Sequence, residues 1–218
     1  MVKSLRKNIF FLVFLIISTI CLPSFVYAYQ PIEFYQFSLD KGQNNISIPL
    51  IPTDARAKIV FPQTEITDIA VYNPALQELA SIKYNSEWEN PDYCIQLGEC
   101  YFLITNKSAT ISVYGVRAQF PVSVLVRTRV GEARKDFFGY PLLEEMPWSS
   151  VPLYNLNVSA ISEFDSQTQN YIYYSKGKFL GDNSSYERNI NSLILKPGKG
   201  YGIYTWQPGA IVFTPQKP

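Results

Sequence analysis

The sequence contains the same pattern twice, and this repetition is the strongest constraint on the fold. Four blocks recur in the same order, the first two at an offset of 92 residues and the last two at an offset of 100. Residues 46–50 match 138–142, 66–73 match 158–165, 98–103 match 198–203, and 109–111 match 209–211. Repetition at this period predicts an internal duplication, with each copy folding as one unit.

The first 28 residues have the pattern of a signal peptide. Lys3, Arg6 and Lys7 precede an apolar stretch at 9–17, and Val26-Tyr27-Ala28 resembles a cleavage site. An uncleaved membrane anchor is the alternative. We expect cleavage after Ala28, export to the periplasm, cell surface or medium, and no membrane span in the mature protein.

Charge and histidine content narrow the possible functions. Without the three basic residues of the leader, the chain has 16 Lys and Arg and 18 Asp and Glu, which gives a net charge of −2. This charge produces no positive electrostatic field that would attract nucleic acid. The basic cluster of Arg127, Arg129, Arg134 and Lys135 flanks Gly131-Glu132 and is interpreted as the solvated rim of a hairpin. The chain contains no histidine, which excludes Ser-His-Asp and Cys-His catalysis and most zinc sites.

Cysteine usage agrees with export. Cys21 leaves with the leader, and Cys94 and Cys100 remain as a pair in a chain bound for an oxidising compartment. The six-residue spacing around Leu97-Gly98 predicts a disulfide across a hairpin turn. Two thiols without histidine make a poor metal site, so we expect no metal and no cofactor.

Strand patterns dominate the mature chain. The segment 122–130 alternates, with Thr128 and the valines at 122, 124, 126 and 130 on one face and the arginines on the other. Shorter runs rich in β-branched and aromatic residues lie between turn residues. These runs are 101–104, 110–114, 171–174, 192–195, 201–205 and 211–213. One helix is predicted at 53–61, with Thr53 as N-cap and Pro62 as a stop. We therefore predict an all-β protein of two closely packed sandwich or barrel-like lobes, residues 29–118 and 119–218.

The repeated motifs resemble a known extracellular repeat. Residues 42–49 followed by 98–103, and 136–141 followed by 198–203, are similar to the pattern G-W-N-L-I-S-x-P, a tyrosine strand, then G-K-G-Y-W-I. This repeat occurs in secreted and surface proteins of bacteria and archaea. Gln43 and Lys135 occupy the position at which this repeat has its first tryptophan. Gly202 occupies the position of its second tryptophan. The resemblance implies an extracellular β module and supplies no catalytic residue.

Carboxylates are the remaining route to catalysis. The pairs Glu144 with Glu145 and Glu163 with Asp165 were weighed as glycosidase pairs, but the sequence offers no convergent partner for them. The oxygen-rich segment 165–170 lacks the repeated acids and the closing glutamate of a calcium loop, so it is interpreted as a polar hairpin turn. We expect no enzymatic activity.

Aromatic side chains give the one specific candidate site. Matching strand 201–206 to copy 1 places Tyr201 and Ile203 inward, and Gly202, Tyr204 and Trp206 outward. Tyr171 and Tyr173 of a neighbouring hairpin could extend this face into a sugar platform, with Gly202 leaving open space. A lobe interface is the alternative use of these rings. We expect a structural or interaction role with envelope or extracellular proteins, or else carbohydrate binding on this face.

Overall fold

The computed structural model describes residues 30–127, 134–177 and 187–215. The described residues from Glu33 onward form one compact unit. No helix among them is long and apolar enough to cross a membrane. The predicted signal peptide and the predicted turn at Gly131-Glu132 lie outside the described residues.

The described residues of the first half form eight strands and one short helix. The strands are β1 (Glu33–Leu39), β2 (Gly42–Ile46), β3 (Ile51–Pro52), β4 (Ile66–Asn73), β5 (Glu78–Tyr84), β6 (Glu87–Trp88), β7 (Tyr101–Thr105) and β8 (Ala109–Val116), with helix α1 (Ala57–Val60) between β3 and β4. They form a three-stranded sheet β1-β8-β3 and a five-stranded sheet β2-β7-β4-β5-β6. Side chains from both sheets share one apolar core, so this lobe is a small sandwich.

The described residues of the second half form a similar arrangement with ten strands. They are β9 (Val122–Val126), β10 (Arg134–Gly139), β11 (Met146–Pro147), β12 (Leu153–Tyr154), β13 (Val158–Asp165), β14 (Asn170–Ser175), β15 (Glu187–Asn189), β16 (Ile194–Leu195), β17 (Gly200–Thr205) and β18 (Gly209–Phe213), with 3₁₀ helices at Trp148–Ser150 and Ile190–Ser192. The three-stranded sheet is β9-β18-β12 and the five-stranded sheet is β10-β17-β13-β14-β15. The protein is all-β, as the sequence predicts. The predicted run 192–195 is a strand only at Ile194–Leu195, because Ser192 ends a 3₁₀ helix, and residues 128–130 of the predicted strand at 122–130 lie outside the described residues.

Strand registers agree with the predicted equivalences residue by residue. Ile46 pairs with Tyr101, and Phe138 pairs with Tyr201. The register of β4 against β7 shifts between Ile66 and Asp68, and that of β13 against β17 shifts between Val158 and Ala160, 92 residues later. These matches are what duplication of a single module would leave.

Two tyrosines hold equivalent places in the two cores. Tyr101 and Tyr201 are fully buried, and burial raises the pKa of both phenols. The amide of Gln96 donates to the Tyr101 hydroxyl at 2.7 Å, and that of Lys196 donates to the Tyr201 hydroxyl at 2.8 Å. Each hydroxyl therefore satisfies an amide five residues before it, which explains why tyrosine rather than phenylalanine stands at both positions.

The lobes contact each other through a reciprocal pair of backbone hydrogen bonds. The Ser47 amide donates to the Gly198 carbonyl at 3.0 Å, and the Gly139 amide donates to the Gly98 carbonyl at 2.8 Å. Ser47 is equivalent to Gly139, and Gly98 to Gly198. Such reciprocity is what an approximate twofold axis produces.

The predicted helix is shorter than expected. It covers only Ala57–Val60, with Arg56 as an N-cap whose side chain makes no capping hydrogen bond. The Thr53 amide instead donates to the Tyr114 carbonyl at 3.0 Å, directly after strand β3. This pairing with β8 holds the chain extended at the residue that we predicted as the cap.

The predicted disulfide is wrong: Cys94 and Cys100 are both free. Cys94 is exposed and pairs by a β-bridge with Arg56, so residues 94–100 do not form the hairpin that the spacing suggested. Cys100 is buried at the lobe contact. A Cβ added to Gly200 would lie 2.3 Å from its sulfur. The two thiols therefore belong to different surroundings.

Candidate functional site

Three of the four predicted ring residues form a continuous row. The ring centroids of Tyr171 and Tyr173 are 6.3 Å apart, and those of Tyr173 and Tyr204 are 6.1 Å apart, each pair tilted by 46°. All three are half-buried, whereas Trp206 is 49% exposed. Because of the tilt, the tyrosines form a curved row rather than one flat platform.

Gly202 does not leave the open space that we expected beside these rings. A Cβ at this position would lie 2.4 Å from the Ser162 Oγ, 3.0 Å from the Lys135 Cε and 3.3 Å from a ring carbon of Phe137. The space over Gly202 is therefore filled by side chains of both neighbouring strands, β13 and β10. The glycine allows Lys135 and Phe137 to lie close against the sheet.

Tyr171 belongs to the lobe interface as well as to the ring row. Gln43 and Asn45 of the first lobe donate side-chain hydrogen bonds to its hydroxyl, at 3.4 and 3.3 Å. The adjacent turn contributes too, since the Gln43 amide donates to the Gln169 Oε1 at 2.9 Å. The interface alternative thus applies to Tyr171.

Aromatic packing between the lobes centres on Phe137. Its ring meets Phe102 edge-on at 4.7 Å and Tyr72 at 5.0 Å, both from the first lobe. The outer faces of the two five-stranded sheets therefore face each other where Phe137 contacts Phe102 and Tyr72. Ring pairs in this geometry add to the stabilisation from burial alone.

The two outer faces differ in the size of their side chains, and this difference opens a cleft. In the first lobe Leu79 pairs with Tyr72, and at the equivalent position of the second lobe Tyr171 pairs with Phe164. By the same registers, Ser81 stands where the second lobe has Tyr173, and Ile104 where it has Tyr204. Three tyrosines cover one face, and smaller side chains leave the other open.

This cleft has a volume of about 700 Å³, within the usual range for small-molecule sites. The outer face of the first lobe forms its floor, and Lys135, Phe137 and Tyr171 of the second lobe close one side. The floor is lined by Gln43, Asp68, Ile69, Ala70, Tyr72, Gln77, Glu78, Leu79, Ser81, Lys83, Tyr84, Phe102 and Ile104. The site is thus mainly apolar with a few charged groups.

Lys135 is the distinctive polar group of the cleft. Its Nζ lies 4.4 Å from the ring centroid of Phe137, 4.3 Å from that of Tyr171 and 5.7 Å from that of Tyr204. Burial lowers the pKa of this ammonium to about 8, with a small opposing effect from Cys100. The prediction that Lys135 belongs to a solvated hairpin rim is wrong, because its side chain lies across Gly202 among these rings.

The other charges of the cleft lie on its floor. Lys83 is almost fully buried, donates from Nζ to the Ile66 carbonyl, and lies 5.1 Å from the ring centroid of Trp88. Burial lowers the pKa of Lys83, and the charge of Asp68 opposes this shift. Lys83 is therefore already satisfied within its own lobe.

One carboxylate of each candidate catalytic pair makes a structural contact. Glu144 forms an ion pair with Arg117, which also bonds Glu33 at 2.9 and 3.0 Å. Asp165 accepts hydrogen bonds from the Gln167 amide and the Thr168 hydroxyl, which lower its pKa and close a hairpin turn. Residues 165–170 are thus the polar turn that the sequence indicated.

A second cavity of about 390 Å³ lies on the other side of Phe137. Glu99 and Asp136 line it, and burial raises the pKa of both carboxyls. Tyr93 donates to Glu99 at 2.8 Å, and the Arg127 and Phe137 amides donate to Asp136. No group of three or more potential metal ligands occurs within the described ranges.

Sequence reasoning identified the ring row but missed the cleft beside it. The alignment of the two copies contains the information that would have predicted the cleft. Small or aliphatic residues at 79, 81 and 104 align with tyrosines in the other copy. Reading that difference as an open face would have placed the site on the first lobe. Comparison with family models, with curated proteins and with solved structures finds no match for this chain.

Proposed function

We propose that this chain is an exported, non-enzymatic binding module that holds a ligand in the cleft between its two lobes. The cleft itself carries the proposal: it is mainly apolar, is lined by a few charged groups, and lies where two lobes meet, which is where ligand sites commonly occur. The leader-like residues 1–28 support export to the periplasm, cell surface or medium. Envelope or extracellular proteins and small extracellular molecules are the partners that such a location implies.

The contacts of the acidic residues in the two candidate glycosidase pairs support binding rather than catalysis by those pairs. Glu144 is held by Arg117, and Asp165 by its own turn. One carboxylate of each pair is thus engaged, so neither pair has both members free to share acid and base roles.

The proposal is tested by filling the cleft with the side chain that the second lobe uses. Leu79→Tyr places a ring where Tyr171 stands in the other copy. Ile51→Tyr is the matched control, since Ile51 is similarly exposed and lies outside the cleft. In a thermal-shift screen of sugars, lipids and organic acids, we expect stabilising compounds that act on the wild type and the control but not on Leu79→Tyr. Compounds that act equally on all three proteins, or no stabilising compound, would contradict the proposal.

Export is tested separately by fractionating the native host. We expect the protein in the envelope or medium fraction, with Tyr29 as its first residue and 190 residues remaining. An intact N terminus in the cytoplasmic fraction would contradict this part of the proposal.

Carbohydrate binding on the ring face is the second candidate. It is favoured by the row of Tyr171, Tyr173 and Tyr204 together with the 49% exposure of Trp206. Titration with soluble polysaccharides should change the tryptophan fluorescence of the wild type and not that of Trp206→Ala. An unchanged wild-type signal would leave only the cleft.

A further inference from the structure

The starting observation is a cation for which the described residues supply no ion-pair partner. The Lys135 ammonium faces the rings of Phe137, Tyr171 and Tyr204, and the ion pairs found among the described residues use other cations. Aromatic faces attract a cation but accept no strong hydrogen bond from it. Within the described ranges, the three donors of this ammonium therefore have no carboxylate as partner.

The position of Lys135 is fixed by its packing. Its stem crosses Gly202, where an added Cβ would lie 3.0 Å from the lysine Cε. Burial lowers its pKa to about 8, so the group remains mainly protonated at neutral pH. An anion that reaches this point gains a charge-assisted contact in a partly desolvated place.

The cleft offers apolar surface beside this cation. Leu79 is 53% exposed and Ile104 is 39% exposed, and both line the same cleft as Phe102 and Lys135. Covering such side chains stabilises a complex in proportion to the apolar surface that is removed from water. A ligand with an apolar body would therefore gain binding energy from the floor while its head meets Lys135.

The remaining charges restrict the ligand to a single anionic group. Asp68 and Glu78 lie on the floor of the cleft and would repel a second carboxylate. Lys83 already donates to the Ile66 carbonyl. Only the position at Lys135 therefore favours an anion.

We infer that the cleft binds a free amphiphilic monocarboxylate, with its carboxylate at Lys135 and its aliphatic body along Leu79 and Ile104. This inference rests on the proposed function, since it names the ligand class of the same cleft. A fatty acid of medium length has this chemistry.

The test is calorimetric titration with two probes that share one chain and differ in head group. Decanoate carries the anion, and decyltrimethylammonium carries a cation on the same alkyl body. We expect decanoate to bind the wild type and to bind Lys135→Met about tenfold more weakly. Methionine keeps an unbranched stem over Gly202 and removes the charge. Lys107→Met is the control, because Lys107 is exposed and pairs with Glu65.

The outcomes distinguish an error in the proposed ligand class from an error in the proposed binding site. Equal binding of both probes, abolished in Leu79→Tyr, would overturn the role of Lys135 and leave the cleft as a binding site. Decanoate binding that survives Leu79→Tyr, or no binding of either probe, would overturn the inference. Loss of decanoate binding in Lys107→Met as well would show general charge attraction and would also overturn it.

The pH dependence gives a second readout. Decanoate binding should weaken as the pH rises above about 8, when Lys135 loses its proton. The groups that surround this lysine are Tyr171, Tyr204 and Cys100, with Asp68, Glu78 and Lys83 across the cleft. Lys135→Met should lack this decline, and an equal decline in that variant would assign it to another group.

Discussion

The Gly139 amide donates a hydrogen bond to the Gly98 carbonyl at 2.8 Å, at a point where no side chain fits between the lobes. A Cβ on Gly139 would lie 2.2 Å from the Glu99 carbonyl oxygen and 2.3 Å from the Ser47 Oγ. Backbone meets backbone here, and the contact is repeated by Ser47 and Gly198. The lobe interface therefore depends on the absence of a side chain at one position.

Gly139→Ala should weaken the whole fold. The added methyl group cannot be accommodated without moving a backbone carbonyl, so we expect the free energy of unfolding to fall by about 2 kcal/mol. Chemical denaturation measures this loss. Gly177→Ala is the control, because an added Cβ there meets nothing within 4 Å, and it should change stability by less than about 0.5 kcal/mol. Equal stability of the two variants would contradict the close approach of the lobes.

Tyr171→Phe should remove an inter-lobe contact without disturbing the ring row. The hydroxyl accepts hydrogen bonds from Gln43 and Asn45, and its loss should cost about 1 kcal/mol of unfolding free energy. Tyr114→Phe provides the comparison, since Tyr114 is 58% exposed. We expect no measurable change in that variant. A cost shared by both substitutions would mean that the Tyr171 hydroxyl bonds solvent rather than the first lobe.

The thiols should differ in reactivity. Cys94 is exposed, whereas Cys100 is fully buried, and burial raises the pKa of the Cys100 thiol. Native protein treated with iodoacetamide should be alkylated at Cys94, and Cys100 should react only after unfolding. Peptide mapping by mass spectrometry distinguishes the two sites. Protection of both cysteines until reduction would restore the disulfide that the structure contradicts.

Lys135 should make stability depend on pH above neutrality. Its pKa is about 8 in the folded protein and about 10.4 in an unfolded chain, so the folded state disfavours the charged form. The cost of burying the charge is fully present below about pH 8 and disappears as the pH rises toward the unfolded value.

Wild type measured against Lys135→Met should therefore gain stability between about pH 7 and about pH 10. We expect a gain of about 1 kcal/mol, because solvent screens a half-buried side chain. Denaturation of both proteins across this range measures the difference. A constant difference would contradict the lowered pKa.

The local sequence pattern was sufficient to predict most of the strands and the residues that form the two cores. Short β-branched and aromatic runs predicted the strand at 201–205, and its match to Tyr101 and Leu103 predicted the inward phase of Tyr201 and Ile203, which are both fully buried. Aligning the copies predicted which strands are equivalent, because each copy repeats the same inward and outward phase. These features depend on residues near one another in the chain or at a constant offset.

The features that sequence reasoning got wrong depend on contacts between distant segments. The chain near Thr53 is extended because the Thr53 amide donates a hydrogen bond to the Tyr114 carbonyl. Cys94 pairs with Arg56 in a β-bridge instead of bonding Cys100. Lys135 looked like a surface charge because its neighbours in sequence are basic, but it is surrounded by Tyr171 and Tyr204, which are 36 and 69 residues away. Pairings over such separations leave no local pattern.

The reciprocal contact between Gly98 and Gly139 lies within one polypeptide, and the strands of the two lobes are joined by only the five residues between Val116 and Val122. A short tether holds the two partners at an effective concentration in the millimolar range. Two separate subunits joined by the same contacts would come apart as the protein is diluted, and their shared cleft would be lost. Because the halves are covalently joined, the cleft persists at any protein concentration.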